Sequence, residues 1–223
     1  MTSSVKNLRY DLIVFDWDGT IMDSTGLIAE CIQLAAIDMR LPVPTLEQAK
    51  SIIGLGVKDS TKRLFPHLDS EAQTTYALTY RKYFVERDHE APLFGGIREL
   101  LASLAHPERF LAVATGKPRA GLERAFGHTG LKAHFNFSRC ADEGFPKPHP
   151  DMLQKLMDFS AVDAGRTLMI GDTTHDLELA QNAGVDALAV TYGAHPRTEL
   201  AQLPSLGMFD TVAELSAWMK INA

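Results

Sequence analysis

Apolar residues follow two different patterns along the chain. Leu12 to Phe15 form an unbroken apolar run that ends at Asp16, and a short run of this kind predicts a strand that is buried on both faces. From residue 25 to about residue 90, apolar residues instead recur at the spacing of amphipathic helices. Nothing in this second region is typical of a strand. We therefore expect residues 21–92 to form an all-helical unit of their own.

The sequence predicts four helices in this helical unit. Pro42 ends the first of them. Thr45 with Gln48 and Ser70 with Gln73 each have the spacing of a capping box, so we expect the second and fourth helices to begin at Thr45 and Ser70. The fourth helix carries aromatic residues on one face, a pattern that is more often core packing than a ligand site: Tyr76, Tyr80, Tyr83 and Phe84.

From Pro92 onward, short apolar runs alternate with helical segments. These runs predict four further strands: residues 110–114, 135–138, 167–170 and 187–190. Strands that alternate with helices form a parallel sheet with helices on both faces, and the first strand belongs to the same sheet. We therefore expect a core made of residues 1–20 and 93–223, with residues 21–92 inserted after its first strand.

The composition is that of ordinary globular material, with 45% hydrophobic and 22% charged residues. The net charge of −6 and the scattered basic residues argue against a nucleic-acid partner. Cys31 and Cys140 fall in segments predicted to be buried, which fits free thiols in a reducing compartment. Residues 1–10 lack the apolar segment of a secretory signal, and no apolar run approaches the roughly 18 residues of a membrane helix. We expect a cytoplasmic protein, monomeric or dimeric, that contacts no membrane.

Two acids follow the first predicted strand directly. Residues two apart in extended backbone point the same way, so Asp16 and Asp18 would share a face, and Gly19 lets the chain turn away after them. Neighbouring carboxylates repel each other unless a cation lies between them or one keeps a proton. The stretch is therefore a catalytic or metal site, or else a solvated turn of a kind that is common after strands.

Other predicted strands also end in residues that carry chemistry, at the edge where open parallel sheets bind ligands. Thr115 and Gly116 offer a hydroxyl and backbone N–H groups at a helix start, which suits an anionic oxygen, although Thr115 is also typical of a plain N-cap. Lys147 lies between two prolines, which restrict its backbone and give its ammonium a defined direction. Asp172 is expected at a helix cap, with Asp176 four residues later on the same side.

Charge balance predicts what this site holds. Asp16, Asp18, Asp172 and Asp176 in one pocket would carry close to four negative charges, and Lys147 supplies one positive charge. The difference calls for a divalent cation, and carboxylate oxygens with room for water select Mg²⁺. A hard cation, a lysine, a hydroxyl and a helix N-terminus together suit a phosphoryl group.

Four segments of the chain resemble, in order, the four motifs of the haloacid dehalogenase-like hydrolase superfamily: D-W-D-G-T-I-M-D-S, T-G-K, K-P-H-P-D-M-L and G-D-T-T-H-D. The helical unit after the first strand is most similar to that of phosphoglycolate phosphatase-like members. The resemblance covers nearly the whole chain. It implies an α/β fold with a Rossmann-like parallel sheet, flanked by helices on both faces, and an inserted all-helical cap domain.

The resemblance also implies a reaction. Asp16 attacks the phosphorus of a phosphomonoester and becomes an aspartyl phosphate, while Asp18 protonates the leaving alcohol and then activates water. The dehalogenases of the superfamily lack an acid at the position of Asp18, so its presence points to phosphorus chemistry. Residues from the strand ends and the lysine segment are assigned to the phosphoryl group: Thr115, Lys147, Gly19, Thr20 and Gly116.

The cofactor that the resemblance implies is Mg²⁺. Its ligands would be the Asp16 carboxylate, the backbone carbonyl of Asp18 and Asp172, with Asp176 in supporting contact. The substrate is expected to be a small phosphorylated metabolite, and 2-phosphoglycolate is the first candidate.

Selectivity is expected to depend on the helical unit. Paired glycines let backbone approach a small ligand at a helix N-terminus, so Gly54, Gly56 and Lys58 are assigned to the substrate, although a simple helix break gives the same pattern. A phosphomutase of the β-phosphoglucomutase type is an alternative, as are nucleotides or pyrophosphate as substrates. A binding module without catalysis is a further alternative, and the presence of all the acids argues against it.

Overall fold

The computed structural model describes residues 9–223, so the first eight residues of the predicted core range 1–20 lie outside the described residues. In the described part, six strands form one sheet: β1 (Leu12–Phe15), β2 (Phe110–Thr115), β3 (Phe137–Cys140), β4 (Thr167–Gly171), β5 (Asp186–Val190) and β6 (Met208–Phe209). Neighbouring strands are parallel throughout, in the order β3-β2-β1-β4-β5-β6. This arrangement confirms the predicted α/β fold with a Rossmann-like parallel sheet.

Ten α-helices accompany the sheet over residues 9–223: α1 (Thr25–Asp38), α2 (Leu46–Lys50), α3 (Val57–Leu64), α4 (Ser70–Arg87), α5 (Ile97–Leu104), α6 (Arg119–Thr129), α7 (Asp151–Ser160), α8 (Thr174–Ala183), α9 (Arg197–Leu200) and α10 (Val212–Asn222). Helices α1 to α4 lie between β1 and β2 in chain order. We call residues 25–87 the helical insert. The division of the chain into a core and a cap domain stays a prediction.

Strand β1 is the central strand of the sheet. Val14 pairs with Ala112 of β2 on one side and with Met169 of β4 on the other. All four residues of β1 are buried, because a strand that is covered by helices on both faces has no polar side. The order of the strands reverses beside β1, and open α/β sheets bind ligands beyond the carboxyl ends of the strands at such a point. The fold therefore directs attention to the residues after β1 and β4.

The alternating side chains of β1 belong to different apolar layers. Ile13 and Phe15 are part of a cluster that includes residues of α5, α6 and α10. Leu12 and Val14 are part of a second cluster, which includes residues of α7, α8 and α9. Successive strand residues point to opposite faces, so the uniform apolar run fills both layers at once.

The helical insert has apolar packing of its own. Ile28 and Ile32 of α1 cluster with Phe84 of α4, and the hydroxyl of Tyr76 donates a hydrogen bond to the backbone oxygen of Ile32 at 2.9 Å. The ring of Tyr80 stacks on that of Phe84, with 5.8 Å between centroids. The aromatic residues of α4 therefore pack against α1, as the sequence pattern predicts, but Tyr76, Tyr80 and Phe84 also line a cavity.

One of the two predicted capping boxes is confirmed and one is wrong. Thr45 Oγ1 accepts a hydrogen bond from Gln48 N at 3.1 Å, and Gln48 Oε1 accepts one from Thr45 N at 2.9 Å. Helix α4 is capped instead by Asp69, whose Oδ1 accepts a hydrogen bond from Ala72 N at 2.8 Å. A carboxylate one residue earlier caps the helix and also favours the positive end of its dipole, so Ser70 becomes the first helical residue.

Two further elements differ from the sequence prediction. Helix α9 and strand β6 are too short to leave a periodic pattern, and neither was predicted. Strand β3 begins two residues later than the predicted range 135–138. Phe135 instead packs against Trp17, with 6.2 Å between ring centroids, and Asn136 Oδ1 accepts a hydrogen bond from Leu111 N.

Cys31 and Cys140 are both buried and free, as predicted. Burial raises the pKa of Cys31 to about 11 and that of Cys140 to about 12, so both thiols stay protonated at neutral pH and are poor nucleophiles. Within residues 9–223, no helix combines the length and the apolar character needed to cross a membrane.

We predict that Phe126→Ala lowers the free energy of unfolding by ~3–5 kcal/mol. Phe126 is buried and packs edge-on against the fully buried Trp17, with 5.2 Å between ring centroids. Phe159 is 52% exposed, so Phe159→Ala is the matched control, with an expected loss of about 1 kcal/mol or less. Urea unfolding of both variants measures the difference, and equal losses would contradict it.

Candidate active site

Three carboxylates meet at the carboxyl edge of the sheet. Asp16 follows β1, Asp172 follows β4 and Asp176 lies in the first turn of α8. All three are buried, and one carboxylate oxygen from each lies within 4.8 Å of the others. The two strands that neighbour each other at the reversal of the sheet bring together acids that are far apart in sequence.

Lys147 lies between two of these acids. Its Nζ is 2.7 Å from Asp16 Oδ1 and 2.5 Å from Asp176 Oδ1, and all three side chains are almost fully buried. Burial by itself lowers the pKa of Lys147, but the two carboxylates outweigh it and raise that pKa above its usual value. The lysine therefore stays charged and compensates part of the negative charge of the cluster.

Asp172 is held on both of its carboxylate oxygens. Thr20 Oγ1 donates a hydrogen bond to Oδ1 at 2.8 Å, and the backbone N–H of Ala194 donates one to Oδ2 at 2.7 Å. The carboxylate fits closely against backbone, because a Cβ on Gly19 or on Gly193 would overlap it. Gly19 also has a φ of +85°, a conformation that favours glycine.

Thr20 thus contacts Asp172 in this structure. Its assignment to the phosphoryl group stays a prediction. Gly193 and Ala194 were not predicted at all, although they follow β5. The same rule of strand ends that points to the other acids also points to them.

The charges of this cluster are incompletely balanced by the described residues. Burial raises the pKa of Asp16 to about 7, an effect that Lys147 opposes and that Asp176 and Asp18 add to. Burial and the neighbouring acids also raise the pKa of Asp172 well above its usual value. Asp16 Oδ2 is buried and accepts no hydrogen bond from any described residue. A buried oxygen with no donor beside two more carboxylates is what a hard divalent cation would satisfy.

Asp176 has a second contact that fixes it. Thr173 donates to Asp176 Oδ2 from its backbone N–H at 3.0 Å and from its hydroxyl at 2.8 Å. The sequence predicts Asp172 as the cap of this helix, and this prediction is wrong. Thr173 is the N-cap of α8, and Asp172 lies one residue before it. These two hydrogen bonds from the capping residue fix the carboxylate of Asp176, whose other oxygen contacts Lys147.

The side chain of Asp18 lies apart from the three-acid cluster. Its Oδ1 accepts a hydrogen bond from Ser24 Oγ at 2.6 Å and pairs with Lys117 Nζ at 3.0 Å. The ammonium of Lys117 also lies 4.5 Å from the centroid of the Phe84 ring, which belongs to the helical insert. The sequence predicts Lys147 beside the acids, and the structure adds Lys117 as a second lysine at the strand ends.

Ser24 and Lys117 are candidate site residues that sequence reasoning missed. Both stand inside the motif segments D-W-D-G-T-I-M-D-S and T-G-K, which is the signal that could have found them. A lysine at a helix start resembles an ordinary surface lysine until the burial of its side chain, 9% exposed, is known.

Thr115 and Gly116 lie at the end of β2, where the sequence predicts them. Thr115 is buried, and its Oγ1 accepts a hydrogen bond from Lys117 N at 3.1 Å, whereas the N-cap of α6 is Pro118. A Cβ on Gly116 would come within 2.6 Å of the backbone oxygen of Gly54 and 2.8 Å of that of Leu55. The helical insert therefore touches the end of β2 through backbone, which glycine alone permits.

The segment that contains Gly54 and Gly56 faces the site, but Lys58 does not line it. Gly54 lies against Thr173 and His175, and Gly56 caps α3 beside Ala141 and Pro146. Lys58 is exposed and lies outside the residues that line the adjoining cavity. Its position on the outer side of α3 offers no support for a contact with substrate.

A cavity of about 330 Å³ separates the helical insert from the strand ends. Asp16, Asp18, Thr115, Gly116 and Lys117 line it on the side of the sheet. The insert lines the other side, mainly with apolar side chains from α1, α3 and α4 and from the segment after α2. The cavity joins the buried acids to a space of the size of a small-molecule site.

A buried group of acids with a lysine at the carboxyl edge of a parallel sheet, opposite a helical insert, defines the class of this protein. The chain belongs to the haloacid dehalogenase-like hydrolase family, whose profile matches residues 13–190. This match confirms the family that the four motifs predict.

Named relatives agree with this assignment. The chain is 33% identical to "Probable phosphatase IndB" of Dickeya dadantii (strain 3937), over 92% of this chain and 91% of that one. It is 31% identical to "Phosphoglycolate phosphatase" of Aliivibrio fischeri (strain ATCC 700601 / ES114), over 82% and 84% of the two chains. A solved structure described as a "predicted phosphatase from Clostridium acetobutylicum" superposes with a TM-score of 0.85 at 26% identity, over 95% of this chain and 99% of that chain.

We predict that the titration of Asp16 lowers the stability of the chelated protein as the pH rises from about 4 to about 7, against the opposite contribution of the buried His175 and His195, whose pKa values are lowered. Asp16 has a pKa of about 7 in the folded chain against 3.8 when unperturbed, so the folded state binds more protons across this interval and the free energy of unfolding falls. Urea unfolding at several pH values, in the presence of a chelator, measures the fall.

Asp16→Asn removes one of the two acids whose pKa is raised, Asp172 being the other, and should make that fall smaller. The exposed Asp38 supplies the control, since Asp38→Asn leaves the cluster untouched and should keep the wild-type fall. A fall of the same size in Asp16→Asn would show that Asp16 does not titrate in this range.

Proposed function

We propose that this protein is a Mg²⁺-dependent phosphatase that hydrolyses a phosphomonoester through an aspartyl phosphate on Asp16. One observation carries the proposal. Asp16 is buried at the end of the central strand, with Lys147 on one carboxylate oxygen and no donor among the described residues on the other. The phosphatase names of relatives that span most of the chain support the same chemistry.

The donor set fits a hard divalent cation. Asp16, Asp172 and the backbone carbonyl of Asp18 would hold Mg²⁺, with Asp176 in support, and these oxygen ligands match its preference. When bound, the ion supplies positive charge that reduces the repulsion between a carboxylate and a phosphate dianion. Lys147 supplies a further positive charge at the same place, and it fixes Asp16 in one orientation.

In the first step, a carboxylate oxygen of Asp16 bonds to phosphorus while the ester P–O bond breaks, and Asp18 gives a proton to the leaving oxygen. In the second step, Asp18 as carboxylate takes a proton from water. The resulting hydroxide bonds to phosphorus, which releases inorganic phosphate and restores Asp16. Ser24 and Lys117 hold Asp18 Oδ1, and these contacts would fix the orientation from which Asp18 gives and takes the proton.

The helical insert would act as the cap over this reaction. It touches the strand ends through Gly54 and Gly116, and it encloses the cavity beside Asp16 and Asp18. Closure of this kind excludes water from the reacting groups, and opening admits substrate. The division into a core, residues 1–20 and 93–223, and a cap, residues 21–92, is part of this proposal.

Hydrolysis is favoured over transfer to a sugar. A phosphomutase of the β-phosphoglucomutase type needs polar groups in the cap that bind a sugar. The insert side of this cavity is mainly apolar. Release of inorganic phosphate in proportion to substrate consumed separates the two, because a mutase releases almost none. 2-Phosphoglycolate, nucleoside monophosphates and pyrophosphate belong in the substrate panel.

We predict that Asp16→Asn lowers kcat by about 10⁴-fold or more, since an amide is not a nucleophile toward phosphorus. The wild-type protein should lose activity with a chelator and regain it with Mg²⁺, and rapid acid quench should trap a phosphorylated Asp16. Asp38→Asn serves as the control and should keep wild-type activity. Undiminished turnover by a folded Asp16→Asn protein would exclude the mechanism.

We predict that Lys117→Met lowers kcat about tenfold or more, because Asp18 loses a charged hydrogen-bond donor. The concentration of Mg²⁺ that gives half-maximal activity should not change, since Lys117 forms no ion pair with the three-acid cluster. A shifted pH profile of kcat, with partial rescue by Lys117→Arg, would distinguish this role from loss of packing.

The control for that measurement is Lys132→Met. Lys132 also pairs with a carboxylate, Glu123 at 2.7 Å, but its side chain is 68% exposed, and exposed pairs contribute about 0–1 kcal/mol. Its kinetics should stay at the wild-type values. An unchanged kcat in Lys117→Met would remove Lys117 from the account of Asp18.

A further inference from the structure

The cavity beside the acids is mainly apolar on the side of the helical insert and charged on the side of the sheet. On the insert side it is lined by aliphatic and aromatic side chains of the helical insert: Ile28, Ile32, Ile52, Ile53, Leu64 and Phe84. Asp16, Asp18 and Lys117 lie at its sheet side. A substrate whose phosphoryl group reaches Asp16 therefore places its organic part among apolar side chains.

Most of the hydroxyl groups in this lining already have partners. Tyr76 donates to the backbone oxygen of Ile32, Ser60 to that of Ile52 and Thr61 to that of Val57. Tyr80 differs, because its hydroxyl forms no hydrogen bond with a described residue. Burial raises the pKa of Tyr80 well above 10, so this hydroxyl remains an O–H donor. On the insert side of the cavity, Tyr80 is thus the neutral side-chain donor that is left for a ligand, while Thr115 lies on the side of the sheet.

Two of the three positively charged side chains in the lining already form ion pairs. Lys117 pairs with Asp18 at 3.0 Å, and Arg124 pairs with Asp88 at 2.9 Å. Arg81 also lines the cavity and forms no ion pair with a described residue, but its side chain is exposed, so water screens its charge. A second negative charge on a substrate would enter an apolar space without a free buried cation, which is costly.

The size of the cavity disfavours a substrate with a very small organic part, because apolar space would stay unfilled. A volume of about 330 Å³ lies within the range of roughly 300–1,000 Å³ that is typical of small-molecule sites. A two-carbon acid would leave most of this apolar space unfilled, and unfilled apolar space contributes no dispersion energy. A ring or a branched chain would fill it and would displace water from the lining.

From these contacts we infer that the organic part of the substrate is uncharged and apolar, an aromatic or branched aliphatic alcohol with at most one hydrogen-bonding group. This inference rests on the proposed phosphatase function and names its substrate class. It places phosphate esters of hydroxy acids, 2-phosphoglycolate among them, below phosphate esters of apolar alcohols. Tyr80 is the residue that would meet the one polar group.

Turnover and binding test the inference separately. With Mg²⁺ present, the wild-type kcat/KM for benzyl phosphate and for isopentyl phosphate should exceed that for 2-phosphoglycolate by about tenfold or more. Asp16→Asn should bind benzyl phosphate more tightly than 2-phosphoglycolate by a similar factor in calorimetry. If no ester is hydrolysed and no phosphoenzyme forms, the proposed function fails, and the calorimetric preference still decides the inference.

A matched pair of variants in α1 tests the cavity itself. Ile32 is 3% exposed and lines the cavity, whereas Ile37 in the same helix is 57% exposed. Ile32→Thr should raise the KM for benzyl phosphate about tenfold and the KM for 2-phosphoglycolate by clearly less, so that the preference between the two esters falls. Ile37→Thr should leave both unchanged. If Ile32→Thr does not fold, the wild-type preference remains the test.

A preference of the wild-type protein for 2-phosphoglycolate, in turnover or in binding, would overturn the inference. Loss of that preference in Arg81→Met would then show that Arg81 meets the substrate carboxylate. Equal KM changes for both esters in Ile32→Thr would equally overturn it, because a merely structural effect does not distinguish an apolar organic part from a charged one.

Discussion

The buried ammonium of Lys147 is the interaction on which the rest of this structure depends. It lies between Asp16 and Asp176, and all three side chains are withdrawn from water. Removing one partner from such a buried group costs roughly 3–5 kcal/mol, because it leaves uncompensated charge in a medium of low polarity. The pair also joins residues 131 positions apart. The contact that makes the site chemically useful therefore also fixes the end of β1 against the segment before α7.

The sheet explains why this contact forms where it does. β1 pairs with β2 on one side and with β4 on the other, so Asp16 and the residues that follow β4 leave the sheet side by side. Asp172 then sits between two backbone segments, each with a glycine, and receives Thr20 and Ala194 as donors. The order of the strands thus places the acids side by side, and hydrogen bonds from neighbouring segments keep them there despite their mutual repulsion.

Much of this arrangement is predictable from the sequence, and the limits are physical. The apolar run before Asp16 and the alternation of strands and helices predict the sheet, and the residues at strand ends predict Asp16, Lys147, Asp172 and Asp176. Lys117 escapes prediction because its side chain is buried between Asp18 and Phe84, which are far from it in sequence. Ala194 escapes because it acts through its backbone N–H, which any residue carries. The cap of α4 was misplaced by one residue because Asp69 competes with Ser70 for it.

The same limit separates the chemistry from the substrate. The acids of the site lie in short motifs, so the sequence predicts which residues they are. The cavity is formed by residues of α1, α3 and α4 together, so no single segment of the sequence predicts it. Phe84 connects the two. Its ring lines the cavity and also lies against the ammonium of Lys117, which in turn holds Asp18. An organic group that packed against Phe84 would therefore lie one contact away from Lys117. Under the proposed function, one side chain of the insert would contact both the substrate and the lysine that is paired with Asp18.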